Sequence, residues 1–183
     1  MRHLVCAGRR IKGGPSHDHA DHNHVNGLSG SPEVLRGSGR IGDIPVKGIE
    51  TAHDESGGAE RGANTVFSFE VDGIHICFVG DLGHQLSGGQ VDAIGPVDIL
   101  LTPVGGTFTV DAEGAAGLVK ALSPRVVIPM HFKTEKSHLP IAGGQEFLEV
   151  MGGSSQTGKS EIEITASDLP SAGTEVWVLE HAC

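Results

Sequence analysis

The sequence predicts an α/β protein in which mixed sheets are flanked by helices. Three observations carry that reading. Phe67, Phe69 and Val71 alternate with Ser68 and Glu70, and Ile74, Ile76 and Phe78 alternate again beyond Asp72-Gly73, the pattern of a tight hairpin. Asp98 to Thr102 is a mostly apolar run of strand length, as expected of a strand buried on both faces. Ala115, Leu118, Val119 and Leu122 repeat at helical spacing before Pro124, and Arg125 to Pro129 is strand-like again. Strands and helices therefore alternate, with hairpins among them.

Taken in order, residues 1 to 16 are basic and Gly-rich and show no strand or helix pattern. Residues 32 to 50 are broken by Gly and Pro and read as loop, with a short strand at Ile49-Glu50-Thr51. The second hairpin strand runs into Val79-Gly80-Asp81. Thr109 is placed to cap a helix that carries Asp111 and Glu113 in its first turn. The strand after that helix delivers Met130-His131. Glu146 to Met151 reads as helix, Ile162 and Ile164 alternate like a strand, and Val176 to Leu179 is a last strand. No internal repeat is evident.

A length of 183 residues with 38% hydrophobic and 20% charged residues suits one globular domain, expected over 1–183 with an atypical start at 1–15. The net charge of −10 lacks the basic footprint of a nucleic-acid binder. Cys6, Cys77 and Cys183 are scattered and odd in number, so they suggest neither a disulfide framework nor a Cys-based zinc site. No apolar run reaches the length of a membrane span, and Met1 to Gly8 is too short for a secretory signal. The expectation is a soluble cytoplasmic protein with no membrane or nucleic-acid partner.

Two nucleotide-like motifs are rejected. Gly153 to Ser160 matches G-x-x-x-x-G-K-S, but helix-like residues precede it and strand-like residues follow, the reverse of what phosphate binding needs. Gly37 to Gly42 matches G-x-G-x-x-G, but Pro45 follows at once and no clear strand precedes, so it reads as loop.

The chemistry concentrates at Ser16 to His24, which packs four imidazoles and two carboxylates into nine residues. Within it His17, His19, Asp21 and His22 form H-x-H-x-D-H, and imidazole and carboxylate are the usual ligands of zinc and its neighbours. A His-rich tract can also be a solvated metal buffer or a tag remnant, but this one is internal and interleaved with Asp. Further ligand candidates stand at strand ends: His53 after Ile49-Glu50-Thr51, Asp81 in Gly80-Asp81-Leu82-Gly83, and His131 after the strand ending at Pro129.

With these residues in this order, the chain resembles the metallo-β-lactamase superfamily. The finer resemblance is to its small prokaryotic metal-dependent hydrolases, the branch with ascorbate 6-phosphate lactonase-like proteins. It is carried by His53-Asp54 with Arg61-Gly62-Ala63-Asn64-Thr65, by Gly80-Asp81-Leu82-Gly83-His84, by Pro103-Val104-Gly105-Gly106-Thr107, and by Pro129-Met130-His131-Phe132-Lys133-Thr134. It covers about residues 16 to 181. The resemblance implies an αββα sandwich of two mixed sheets flanked by helices. It implies two divalent ions, zinc first with manganese, nickel or iron as alternatives. One would take His17, His19 and His53, the other Asp21, His22 and His131, with Asp81 bridging. The family places strands before H-x-H-x-D-H; only sixteen residues precede His17 here. The fold is accordingly expected without those N-terminal strands, and strand-like family sequence is expected in the upstream DNA.

Such a centre implies a hydrolase that uses a metal-activated hydroxide on a small ester, lactone or phosphoester. Asp21 or Asp81 would pass a proton to the leaving group. Asp18, Asp54 and His84 lie beside ligands and are candidates to orient them. Lys133, His84 and Gly106 are candidates to meet the substrate, which Lys133 suggests is anionic. Two other readings stay open: a metal-binding homologue without turnover, and a di-iron redox version of the same site.

Overall fold

The computed structural model describes residues 4–6, 9–11, 16, 34–153 and 155–180. The strands are β1 (Leu4–Cys6), β2 (Arg9–Ile11), β3 (Gly39–Ile41), β4 (Ile44–Ala52), β5 (Ala63–Val71), β6 (Ile74–Phe78), β7 (Ile99–Pro103), β8 (Val126–Met130), β9 (Ser155–Gln156) and β10 (Glu175–Val178). The helices are α1 (Gly88–Ile94), α2 (Ala112–Leu122) and α3 (Gln145–Val150).

Eight strands form one mixed sheet in the order β3-β4-β5-β6-β7-β8-β10-β9, and β1 and β2 form a separate antiparallel pair. Strands β3 to β6 are joined antiparallel, whereas β6, β7, β8 and β10 run parallel. Because β4 lies two antiparallel steps from β6, the two point the same way. The C-terminal ends of β4, β6, β7 and β8 therefore share one edge of the sheet with the start of β5, and loops at such an edge are natural places for a site.

The hairpin of β5 and β6 turns at Asp72 and Gly73, with Val71 opposite Ile74. Both turn residues have positive φ, as a turn that matches the strand twist requires. Alternation then divides the strands between two faces. Val66, Cys77, Leu100, Val127 and Val176 pack on one face with Leu118, Val119, Leu122, Ile94 and Phe147 from the three helices. Burial pushes the Cys77 thiol up to about 12, which keeps it an inert core group. Ile74, Ile76, Ile99, Val126 and Ile128 pack on the other face, where Leu169, Ile162 and Ile164 cover them.

The α/β class holds. Among the described residues the large strands join edge to edge into one sheet with helices on one face, and no second sheet of comparable size faces it. Other expectations are corrected. Residues 4–6 and 9–11 pair as strands, Leu4 opposite Ile11, although each run is too short for alternation to register. Strand β4 is nine residues long despite Pro45 and Gly48. Pro45 pairs only with the short edge strand β3, where a missing N–H is tolerated. Gly39–Ile41 of the G-x-G-x-x-G match is that edge strand rather than loop. The cap of α2 is Asp111, whose side chain accepts from the Gly114 N–H, and not Thr109. Val110 is held by its N–H to the Leu82 carbonyl, so the helix starts after it. Residues 161–164 are not a strand; their isoleucines fill the second face without pairing. Helix α1, capped reciprocally by Ser87 and Gln90, was not expected.

Leu118 is fully buried between α2 and the sheet. Leu118→Ala is expected to lower unfolding free energy by about 2–5 kcal/mol in urea titrations with the slope unchanged.

Candidate metal centre

Three of the seven ligand candidates meet at the shared strand edge. His53 follows β4 by one residue, Asp81 follows β6 by three, and His131 follows β8 directly. His53 Nε2 stands 3.5 Å and His131 Nε2 3.6 Å from the same Asp81 Oδ2. These distances exceed hydrogen-bond length. Two ligands about 2.1 Å from one ion at a tetrahedral angle stand roughly 3.4 Å apart, so each His–Asp81 pair is spaced as two ligands of one ion would be. Imidazole nitrogen with carboxylate oxygen is also a donor set for zinc, manganese, nickel or iron, and the residues present fit a divalent metal.

His17, His19, Asp21 and His22 lie outside the described residues, as does Asp18. The residue before them does not. Ser16 is buried, and its carbonyl accepts the Thr65 N–H at 2.8 Å, at the start of β5. A Cβ on Gly80 would meet Ser16 Cβ at 2.5 Å, so Ser16 abuts the residue before Asp81. Ser16, the residue before the H-x-H-x-D-H run, therefore lies at the place where the other three candidates meet.

The surrounding backbone is shaped for close approach. A Cβ on Gly83 would collide with the backbone of His53, and one on Gly105 with the carbonyl of His131. Only glycine lets the loops after β6 and β7 lie directly on the two histidines. His131 itself has φ of 50°, a left-handed conformation that costs free energy in a residue with a Cβ. That conformation turns the chain at the end of β8.

Asn64, Asp54 and His84 hold this arrangement. Asn64 is buried; its amide donates to Thr51 Oγ1 at 2.8 Å and to the Val79 carbonyl at 2.9 Å, and its Oδ1 accepts the Asp81 N–H at 3.1 Å. Asp54 accepts four backbone N–H groups, from Ser56 and Gly58 at 2.8 Å, Glu60 at 3.0 Å and Arg61 at 2.7 Å. Burial alone would raise its carboxyl pKa, but the N–H groups of Arg61, Gly58, Glu60 and Ser56 outweigh burial and hold it below the ordinary carboxylate range. Its own loop wraps this carboxylate, and the loop stands at the surface. His84 Nε2 accepts the Ala52 N–H at 3.1 Å, and Nδ1 faces the Gln85 carbonyl at 2.8 Å. An N–H must donate and a carbonyl must accept, so the proton is on Nδ1. Both ring nitrogens thus serve the backbone, one beside His53.

An open cleft of about 370 Å³ reaches this edge, with His53, His84 and Gly106 among its lining residues. Lys133 does not line it; its Nζ donates to the Leu139 carbonyl at 2.7 Å. Sequence reasoning assigns no role to Arg61, which does line the cleft, or to Asn64. Both stand in the Arg61-to-Thr65 phrase, and that was their only signal.

The model of the Beta-lactamase superfamily domain matches residues 15–131. The chain belongs to the metallo-β-lactamase superfamily. A UPF0173 metal-dependent hydrolase of Thermoplasma acidophilum is 36% identical over 92 residues, 50% of this chain and 41% of that protein. One from an Anaeromyxobacter species is 33% identical over 146 residues, 75% of this chain and 51% of that protein. The chain thus spans about half the length of these curated relatives. A metallo-β-lactamase superfamily structure from Thermotoga maritima superposes with a TM-score of 0.77 at 29% identity, over 97% of this chain and 94% of that one. Among the described residues, no helix of this superfamily member is long and apolar enough to cross a membrane.

Removing the Asp54 carboxylate by Asp54→Ala is expected to lower Tm by several degrees. Hydrogen exchange at the amides of Ser56, Gly58, Glu60 and Arg61 should quicken roughly tenfold or more, with the core strands unaffected. His84→Phe keeps ring volume but leaves the Ala52 N–H without an acceptor, and is expected to cost about 1–3 kcal/mol in urea titrations, partly recovered by His84→Gln.

Proposed function

We propose that this chain is a metal-dependent hydrolase whose centre joins His53, Asp81 and His131 to His17, His19, Asp21 and His22. The observation that carries the reading is the approach of two histidine nitrogens to one buried carboxylate oxygen, at 3.5 and 3.6 Å. Asp81 Oδ2 is almost equidistant from His53 and His131, which supports its role as a bridge between two ions. The names of the relatives support hydrolysis.

Bound divalent ions would lower the pKa of water to about 7 and polarise an ester, lactone or phosphoester oxygen. The protein supplies position and proton transfer. Asn64 fixes the Asp81 backbone, and the Ala52 N–H bonded to His84 fixes the end of β4 from which His53 projects. Asp81 and Asp21 are the carboxylates available to carry a proton to the leaving group. The polar cleft beside His53 takes the substrate, with Gly106 backbone in its wall.

The test combines metal analysis, chelation and a panel of lactones, esters and phosphodiesters, with His19→Ala and His131→Ala as variants. Full occupancy by two zinc or manganese ions is expected, with chelation abolishing turnover and each variant losing metal and more than about a hundredfold in rate. Turnover that survives His19→Ala would sink the reading. Iron in the purified protein together with oxygen consumption would favour redox chemistry instead.

A further inference from the structure

The cleft beside the candidate centre holds one strongly basic side chain. Among its described lining residues Arg61 is the only lysine or arginine, beside the acids Asp54, Glu55, Glu60 and Asp111. Three of these acids accept hydrogen bonds: Asp54 from four backbone N–H groups, Asp111 from the Gly114 N–H at the start of α2, and Glu60 from the Ser56 hydroxyl at 3.0 Å. Arg61 lies over the ring of Phe108, 5.9 Å from its centroid, within cation–π range. Its ion pair with Glu60 is long, at 3.6 Å, and the two side chains are 35% and 62% exposed. Such a pair is screened and weak. Among the described residues the guanidinium makes no hydrogen bond.

The backbone of Arg61 is fixed even though its guanidinium is available. Its N–H donates to Asp54 Oδ2 at 2.7 Å, and Asp54 adjoins His53. The His53 N–H in turn donates to the carbonyl of Gly62. A short hydrogen-bonded loop therefore ties this cation to a candidate ligand. A guanidinium with one face on an aromatic ring still offers its N–H edge, the geometry that pairs with carboxylate or phosphate. In a protein of net charge −10, an anionic substrate needs such a local cation to be admitted.

We propose that Arg61, shelved on Phe108, binds an oxyanion of the substrate, a carboxylate or a phosphate, and makes the centre selective for charged over neutral esters. This rests on the hydrolase reading above. It moves the anion-reading role from Lys133, whose amine is on the Leu139 carbonyl, to Arg61.

The metal-loaded full chain is assayed on three esters of equal acyl length: p-nitrophenyl butyrate, hemisuccinate and 3-phosphonopropionate. Arg61→Met should cut kcat/KM on a charged ester by roughly ten- to a hundredfold, mostly through KM, and leave butyrate within about twofold. Arg61→Lys should recover part of the loss, and Phe108→Leu should reproduce part of it. The charged ester that loses more identifies the oxyanion. Equal loss on all three esters, or none on any, overturns the proposal while leaving hydrolysis intact. If no ester is turned over, the Arg61 Nε–H resonance is followed during titration with succinate and with inorganic phosphate. A saturable shift then supports anion binding whether or not the hydrolase reading holds, and no shift overturns it.

Discussion

A single buried amide joins the strand ends on which the centre depends. Asn64 starts in β5, reaches across to Thr51 of β4, holds the carbonyl of Val79 beyond β6 and accepts the N–H of Asp81. Both amide hydrogens and the amide oxygen are used, so the group is satisfied despite its burial, and no smaller or apolar side chain reproduces the set. This amide links the end of β4 to the loop after β6, which carry His53 and Asp81. The close contact of Gly83 on His53 joins the same ends of β4 and β6 that Asn64 holds.

The topology explains why residues so far apart in sequence converge. Parallel β6, β7 and β8 must point their C-termini the same way, and the two antiparallel turns before them bring β4 into the same sense. Among the described residues, the strands that lead into His53, Asp81 and His131 therefore end on one edge. The opposite edge shows what the same chemistry does without convergence: His75 pairs with Asp98 at 3.2 Å, and Asp98 with Arg125 at 3.8 Å. These contacts join the starts of β6, β7 and β8 through ion pairs.

Much of this was legible in the sequence, where the signal is local. The Asp72-Gly73 hairpin, the α2 helix, and the placing of His53, Asp81 and His131 after strands all follow from patterns a few residues long. What was not legible depends on distant groups. Asp54 looks like any acid beside a histidine until its loop folds back to present four N–H groups. His84 looks like a cleft imidazole until Ala52 and Gln85 occupy its nitrogens. Thr109 is placed to cap α2, but Val110 bonds to Leu82 from another loop and the helix starts after Asp111 instead. Ile162 and Ile164 alternate because they cover one face of a sheet, and alternation cannot distinguish covering a sheet from joining it. Pro45 and Gly48 hide a long strand because their cost is met by a short edge partner and by close contact with the backbone of Gly37.

The left-handed backbone of His131 sets two demands against each other. A glycine or asparagine there would relax the chain and add to the stability of the β8 end. Selection on folding alone would favour that exchange, so a histidine with φ of 50° is the less stable choice at this position. In a heat-selected library of this protein, that codon is where gains in endurance and loss of chemistry would arrive together.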